Sequence, residues 1–270
     1  MVDPALLEKL PPIDRARGYR LYASGGRRFV DLWQYGGRAL LGHTPPGLLK
    51  TLKNTASRGL FAPLPHPGRA RLEKALEKLF PGCFFRIYGD RTALCKALPE
   101  AAPYPPPGTA LEASPALWRP FWDEESPLAF YDAPPVFVPV LPLPWMNAPE
   151  IVVFRDRGGR TGTEGGTAYS DFVSPVFLAG LTRAVYDLIA GSKSRPQTDR
   201  KKYSLNFPLW KRRGIYLLFE GETDLYESTF TRFLDRGFLL PPDPALPAIL
   251  APGLSPGEDA ALVSLLSFAP

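Results

Sequence analysis

Residues 18–43 read GYRLYASGGRRFVDLWQYGGRALLGH, and this stretch indicates the fold more clearly than any other. Its first half places two apolar-rich segments on either side of Ser24-Gly25-Gly26, a pattern typical of a β-hairpin. Its second half is rich in glycine and ends in Leu41-Gly42-His43. The stretch therefore predicts a hairpin over residues 19–32, followed by a tight glycine-containing turn.

Outside this stretch, apolar residues recur with helical spacing in some segments and form short buried runs in others. Helices are expected at residues 5–10, 46–57, 68–80, 92–98, 175–189, 225–236 and 256–268. Strands are expected at residues 83–88, 151–154, 215–219 and 238–240. Strands alternate with helices in this order, which predicts an α/β protein.

Proline is unusually frequent, with 33 residues in 270, roughly twice the ordinary share. Many of these prolines lie between residues 99 and 149, where the pattern is hard to interpret. Residues 136–143 could form a strand only at a sheet edge, because Pro139 and Pro142 lack the N–H that a central strand donates.

The formal net charge is +5, but the basic residues are scattered rather than gathered in one nucleic-acid-binding stripe. The densest basic stretch, residues 193–213, is interleaved with Tyr203, Phe207 and Trp210. A stacking platform for nucleic acid would need this interleaving, but a solvated loop beside core-packing aromatic rings is the favoured interpretation.

The remaining composition favours a cytoplasmic protein without a metal site. Cys83 and Cys95 are too few for a disulfide framework or a thiolate zinc site. No signal-peptide pattern is recognisable, and no apolar run reaches the ~20 residues of a membrane span. His43 and His66 are the only histidines; we expect His43 to be a structural hydrogen-bonding residue and His66 to lie in a loop.

The order of the segments resembles the class III, fold-type I pyridoxal-phosphate (PLP) aminotransferases. In that family a hairpin ends in Asp plus an aromatic or aliphatic residue, and a glycine-rich stretch with Leu-Gly-His follows, as in residues 18–43. The resemblance continues in FVSPVFLAG (172–180), RGIYLLF (213–219), LDRGFLLP (234–241) and APGLSPGED (251–259). It covers about two thirds of the chain, and its strength lies in the shared order of individually weak motifs.

The resemblance implies an α/β fold of reduced fold-type I PLP-transferase-like architecture with an α/β C-terminal subdomain. An N-terminal arm and hairpin would occupy residues 1–45, a reduced large-domain remnant residues 46–190, and the C-terminal subdomain residues 191–270. The chain between residues 98 and 151 is much shorter than in working family members. Several strands of the large domain are therefore expected to be missing.

The family holds PLP as a Schiff base on a lysine that follows a short strand and precedes a glycine-rich loop. The matching segment, residues 149–159, reads PEIVVFRDRGG and carries Arg155, Asp156 and Arg157 but no lysine. An arginine cannot replace that lysine because its guanidinium stays protonated. The sequence has no lysine between Lys96 and Lys193.

The family's phosphate-binding turn matches Gly89, Asp90, Arg91 and Thr92. Backbone N–H groups at such a turn attract the cofactor phosphate, but Asp90 places a carboxylate where the anion would lie. Arg91 and Thr92 would compensate in part. Asp123-Glu124 is the only Asp-Glu pair that could match the family's pyridine-binding aspartate, and a solvated acidic turn is the favoured interpretation.

These features predict a non-catalytic, aminotransferase-like protein that binds a protein partner or a small ligand, with no catalytic residue and no cofactor. One alternative is a PLP enzyme that uses Lys96 or Lys193, in which case PLP would bind. A second is a basic module that binds nucleic acid or an acidic partner through residues 200–213. The N-terminal arm, which contacts the partner subunit in the family, makes a homodimer an open expectation.

Overall fold

The structure is a computed structural model that describes residues 3–97, 117–155, 170–194, 203 and 206–268. The helices are α1 (Pro4–Glu8), α2 (Leu48–Ala56), α3 (Gly68–Leu79), α4 (Arg91–Ala97), α5 (Pro175–Ser194), α6 (Tyr226–Asp235) and α7 (Pro256–Leu266). The strands are β1 (Ile13–Arg17), β2 (Arg20–Ala23), β3 (Arg28–Asp31), β4 (Phe84–Tyr88), β5 (Leu117–Trp118), β6 (Val136–Pro139), β7 (Glu150–Phe154), β8 (Asn206–Phe207), β9 (Trp210–Arg213), β10 (Tyr216–Phe219), β11 (Phe238–Leu239) and β12 (Ala248–Ile249). This mixture of strands and helices confirms the predicted α/β class.

The first sheet has the order β1-β2-β3-β11 and contains the predicted hairpin. β2 and β3 pair antiparallel around the turn, and Gly25 and Gly26 there adopt φ of 87° and 85°, which glycine tolerates best. β11 pairs parallel to β3, with Phe238 opposite Val30. The N-terminal hairpin is thereby joined to a segment about 200 residues later in the chain.

The middle sheet has the order β4-β7-β6-β5. β6 lies between two neighbours, so the expectation that residues 136–143 could form only an edge strand is wrong. β7 pairs with β6 through Val136 and Phe137, whereas β5 pairs with Val138 and Pro139. The missing N–H of Pro139 is tolerated because the described β6–β7 ladder has already ended at that residue.

The third sheet has the order β12-β10-β9-β8 and includes residues that were expected to form a solvated loop. β9 is a strand antiparallel to β10, which corrects that expectation for residues 206–213. Trp210 is 2% exposed and Tyr203 is also buried, so both aromatic rings pack into the core as predicted. Arg212 is buried as well, because its guanidinium donates to the Glu124 carboxylate and to the Gly214 carbonyl.

Two large apolar cores hold these layers together. In the first, α5 packs against α2 and α3 above the middle sheet, and Leu72, Val153 and Leu188 are fully buried. In the second, the hairpin packs against α6, α7 and the third sheet, with Phe29 and Phe230 fully buried. Each such side chain stabilises the fold by ~1.5–3 kcal/mol. The described residues within 19–82 and 172–268 therefore pack together, as the motif order predicted.

A group of partly buried ion pairs also links the N-terminal hairpin to the C-terminal helix α7. Glu258 in the first turn of α7 accepts from Arg20 of β2 at 2.5 Å and from Arg28 of β3 at 3.0 Å. It also completes a capping box with Ser255. The Arg20 guanidinium is the largest of the influences that lower the pKa of Glu258 to about 2.

Glu258→Gln is expected to lower stability at pH 7 and to flatten the acid limb of the stability profile. Because the folded pKa lies below the unfolded value, the stabilisation is present above about pH 4.5 and is lost as pH falls towards about 2. Urea unfolding at pH 7, 4.5 and 2.5 measures it. Glu227→Gln, which removes the 69% exposed partner of Lys9, is the control and should change the profile less. Parallel profiles for wild type and Glu258→Gln would contradict the assignment.

Candidate functional site

The turn between β4 and α4, which matches the family's phosphate-binding turn, is occupied by carboxylates. The Gly89 N–H donates to Asp171 Oδ2 at 2.8 Å, and the Ala93 N–H donates to Asp90 Oδ1 at 2.8 Å. Asp171 is held beside the turn because its own N–H donates to the Ile87 carbonyl at 2.8 Å. Two of the backbone donors that could attract an anion at this turn are therefore already bonded to the protein's own carboxylates.

A second group of charges lies at the same end of the middle sheet. Glu150, the first residue of β7, is 6% exposed and accepts from Arg38 at 2.6 Å. Arg91, the first residue of α4, approaches the same carboxylate oxygen at 3.6 Å. The Arg91 guanidinium is thus engaged by Glu150, while the Thr92 side chain is exposed to solvent.

The strand register separates the two segments that the family resemblance assigns to one cofactor site. Tyr88, next to Gly89, pairs with Glu150, whereas Phe154, next to Arg155, pairs with Phe84. These two pairs are four residue steps apart along the strand, which is about 13 Å. Arg155 therefore lies at the opposite end of the β4–β7 ladder from the Gly89 turn.

Arg155 has a structural role at that far end of β7. Its guanidinium donates to the Ala133 carbonyl, and its backbone N–H donates to the Pro135 carbonyl at 2.8 Å. These bonds tie the end of β7 to the segment before β6. Asp156 and Arg157 lie outside the described residues.

The segment that reaches the Gly89 end is the connection from β6 to β7, because these strands are antiparallel. Residues 140–149 read VLPLPWMNAP and contain no lysine. Lys96 on α4 and Lys193 near the end of α5 are both exposed to solvent. A Schiff-base lysine is normally activated by desolvation or by a neighbouring cation, and exposure provides no desolvation.

The Asp123-Glu124 pair forms a turn, as predicted, and follows no strand that could aim it at a cofactor ring. Asp123 is exposed and accepts from the backbone N–H groups of Glu125 and Ser126 at 2.8 and 3.3 Å. Glu124 is half-buried rather than fully solvated because it pairs with the buried Arg212.

A strained turn follows β3, and a buried carboxylate organises it. Asp31 is 2% exposed, and its Oδ1 accepts from the N–H groups of Trp33 and Gln34 at 2.9 and 2.8 Å. Gln34 and Tyr35 adopt φ of 46° and 50°, although neither is glycine. Each such residue costs ~1–3 kcal/mol and persists only where its surroundings impose it.

His43, from the Leu-Gly-His motif, completes this arrangement. Its Nε2 lies 2.8 Å from Asp31 Oδ2, and its backbone N–H donates to the Gly18 carbonyl. The structure thus makes His43 a hydrogen-bonding residue, as predicted. His66 accepts from the Gly68 N–H at 3.0 Å at the start of α3, and so is a loop residue with a capping role.

The described part of the chain holds no group of three or more metal-binding side chains. Within it, no helix has the length and apolar character that crossing a membrane requires.

Sequence reasoning missed three residues at the Gly89 end: Arg38, Glu150 and Asp171. Asp171 is 82 residues from the glycine it contacts, and Glu150 is 112 residues from Arg38. No local pattern reports such contacts. The only signal was that Arg38 follows the Gly36-Gly37 pair of the motif used for the resemblance.

Sequence comparisons with known proteins find distant relatives. No protein-family model matches the chain. An uncharacterized protein of Borreliella burgdorferi is 25% identical over 262 residues, covering 96% of this chain and 91% of the relative. A glutamate-1-semialdehyde 2,1-aminomutase of Syntrophus aciditrophicus is 33% identical over 69 residues, covering 26% of this chain and 16% of that enzyme.

Solved structures give a consistent result over almost the whole chain. Ornithine δ-aminotransferase of Plasmodium falciparum superimposes with a TM-score of 0.67 at 12% identity, covering 95% of this chain and 92% of that one. Acetylornithine aminotransferase of Elizabethkingia anophelis gives 0.61 at 13% identity, with the same coverage. The chain therefore has the fold-type I architecture of class III PLP-dependent aminotransferases. Identities this low show the fold alone.

Glu150→Ala is expected to lower the free energy of unfolding by about 2–3 kcal/mol, because Arg38 loses a charged hydrogen-bond partner in a mostly buried place. Urea unfolding measures the effect. The matched control is Glu73→Ala, which breaks the exposed Arg69–Glu73 pair on α3 and should cost less than about 0.5 kcal/mol. Equal costs for the two variants would show that the Glu150 pair contributes nothing beyond a surface contact.

Proposed function

We propose that this protein is a non-catalytic member of the aminotransferase fold that acts by binding a protein partner or a small ligand. The observation that carries the proposal is the Gly89 turn, whose N–H is bonded to Asp171 where an enzyme of this fold would present it to a phosphate. The division of the chain at residues 45 and 190 is part of the same proposal.

The residues at this end of the sheet do not fit PLP. Among the described residues, carboxylates of Asp90, Glu150 and Asp171 lie at this end of the sheet, and Arg38 and Arg91 are the cations that the contacts place against them. A phosphate would have to displace Asp171 and approach the remaining acids, which like-charge repulsion disfavours.

Two segments could correspond to the family's lysine loop, and neither contains the Schiff-base lysine. Residues 155–159 and residues 140–149 both lack lysine. Arg155, at the first of these positions, is committed to the Ala133 and Pro135 carbonyls. Neither segment therefore supplies an amine for attack on the cofactor aldehyde, and no step of transamination is assigned to this chain.

The basic-module alternative is weakened by burial. A stacking platform needs exposed rings, whereas Trp210 and Tyr203 are buried and Arg212 is paired with Glu124. The proposal therefore places the binding function elsewhere than in residues 200–213.

Incubation with excess PLP followed by borohydride reduction is expected to leave no lysine labelled stoichiometrically. Mass spectrometry of the digested protein measures this, and absorbance of an aldimine gives a second readout. Stoichiometric labelling of Lys96 or Lys193, with labelling and transaminase activity both lost on its replacement by alanine, would overturn the proposal. Trace labelling spread over several exposed lysines would support it, because such labelling reports exposure alone.

A second copy of the chain is one candidate partner within this proposal. Phe61 is 61% exposed, and Leu64 and Phe172, which are 53% and 61% exposed, line one shallow depression. Clusters of exposed apolar side chains commonly mark protein contacts.

If this apolar surface joins two copies, light scattering at micromolar concentration will give twice the mass of one chain, and Leu64→Asp will shift the protein to monomer. Tyr131→Asp is the matched control, since Tyr131 is 76% exposed but lines a different depression. A clean monomer for the wild type would reject the homodimer and leave a different protein or a small ligand as the partner.

A further inference from the structure

A cavity of about 550 Å³ lies beside the N-terminal arm, and no residue of the Gly89 turn lines it. We call it the arm cavity; its walls include Leu10, Ile13, Trp33, Tyr35, His43 and Met146. We propose that the arm cavity binds a small, largely apolar molecule that carries one hydroxyl group, which hydrogen-bonds to His43. The inference rests on the proposed binding function, for which it names the site and the class of ligand.

The size and the walls of the arm cavity suit a small molecule. Its volume falls within the ~300–1,000 Å³ that is usual for small-molecule sites, and such sites are mostly apolar with a few placed polar groups. Leucine, isoleucine, proline, methionine and aromatic side chains form most of its surface. The charged or titratable side chains that line it are those of Asp31, His43 and Tyr35.

The polar end of the cavity is oriented by the protein. Asp31 already accepts from two backbone N–H groups through Oδ1 and faces His43 Nε2 through Oδ2. A carboxylate accepts hydrogen bonds, so Nε2 carries the proton and Nδ1 is the nitrogen left for a ligand. Among the described residues, none bonds to His43 Nδ1.

The aromatic side of the cavity is held in a conformation that the backbone does not favour. Trp33 and Tyr35 lie edge to face, with their ring centroids 5.4 Å apart. Tyr35 keeps a φ of 50° while its ring lines the cavity. Backbone strain of this kind clusters at ligand-binding sites, where it pre-organises side chains.

These features select the ligand chemistry. The buried charge of Asp31 would repel an anion. A cation is not favoured either, because that carboxylate already accepts hydrogen bonds from the Trp33 and Gln34 N–H groups and faces His43. A hydroxyl suits His43, because it can donate to Nδ1 when that nitrogen is unprotonated. The rest of the ligand must be apolar to match the walls.

The probe is 2-naphthol, with 2-methoxynaphthalene as a matched ligand that lacks the donor. Isothermal titration at pH 7.5 is expected to show one site for 2-naphthol and about fivefold weaker binding of the ether, as the loss of one neutral hydrogen bond predicts. Equal affinities, or no binding of 2-naphthol up to 1 mM, would overturn the inference.

Two variants locate the site. Ile13→Trp adds bulk to a wall residue that is 38% exposed, and it should weaken 2-naphthol binding at least tenfold. Leu49→Trp adds the same ring at a position that is 54% exposed and does not line the cavity, and it should leave binding unchanged. Thermal unfolding of both variants checks that they fold. Unchanged affinity in folded Ile13→Trp would place the binding elsewhere and overturn the inference.

Histidine nitrogen spectra test the contact directly, because the chain has only two histidines. With ¹⁵N-labelled histidine, 2-naphthol should shift the Nδ1 resonance of His43 and leave His66 unmoved, with His66→Gln providing the assignment. An unmoved His43 Nδ1 in the saturated complex would overturn the assignment of the hydroxyl. If the naphthol experiments fail and PLP labels no lysine, the arm-cavity inference is wrong but the proposed function stands. Stoichiometric labelling of a lysine by PLP would overturn the proposed function whatever the naphthol experiments show.

Discussion

The buried Asp31 carboxylate is the constraint on which much of this structure depends. Three hydrogen bonds converge on it, and they fix the end of β3, the left-handed turn and the Leu-Gly-His motif relative to one another. The turn in turn reaches the C-terminal part of the chain, because the Gln34 amide donates to the Ile249 carbonyl at 3.1 Å. Removing the carboxylate would leave several buried donors without a partner, at ~1–3 kcal/mol for each.

The sequence was sufficient where a local pattern reports a local structure. The hairpin could be predicted from its glycine turn, and α3 from the helical spacing of Leu72, Leu76 and Leu79. The sequence was insufficient where contacts between residues far apart in the chain determine the local structure. Pro139 would have excluded a central strand only if the β6–β7 pairing had continued to it. The basic residues of β9 suggested a solvated loop, because the contact of Arg212 with Glu124 cannot be seen in the sequence.

The same distinction explains the candidate site. Gly89 and Asp90 could be selected from the sequence, because a glycine followed by a helix start is a local pattern. That Asp171 occupies the Gly89 N–H depends on a contact across 82 residues. Likewise, Arg155 followed a suitable strand, but only the register of β4 with β7 shows that it lies at the far end of the ladder.

The carboxylates at the Gly89 turn follow from a general requirement of backbone hydrogen bonding. Helix starts and strand ends leave backbone donors that must be satisfied whether or not a cofactor is bound. Asp90 and Asp171 satisfy two of them from within the chain, which stabilises the Gly89 turn.

The glycine-rich turn after β3 depends on close packing instead. A Cβ at Gly37 would come within 2.8 Å of Val140, because this turn packs directly against the connection between β6 and β7. That connection also contributes Met146 to the arm cavity. The packing of this turn against the β6–β7 connection therefore also helps to place Met146 in the wall of the arm cavity.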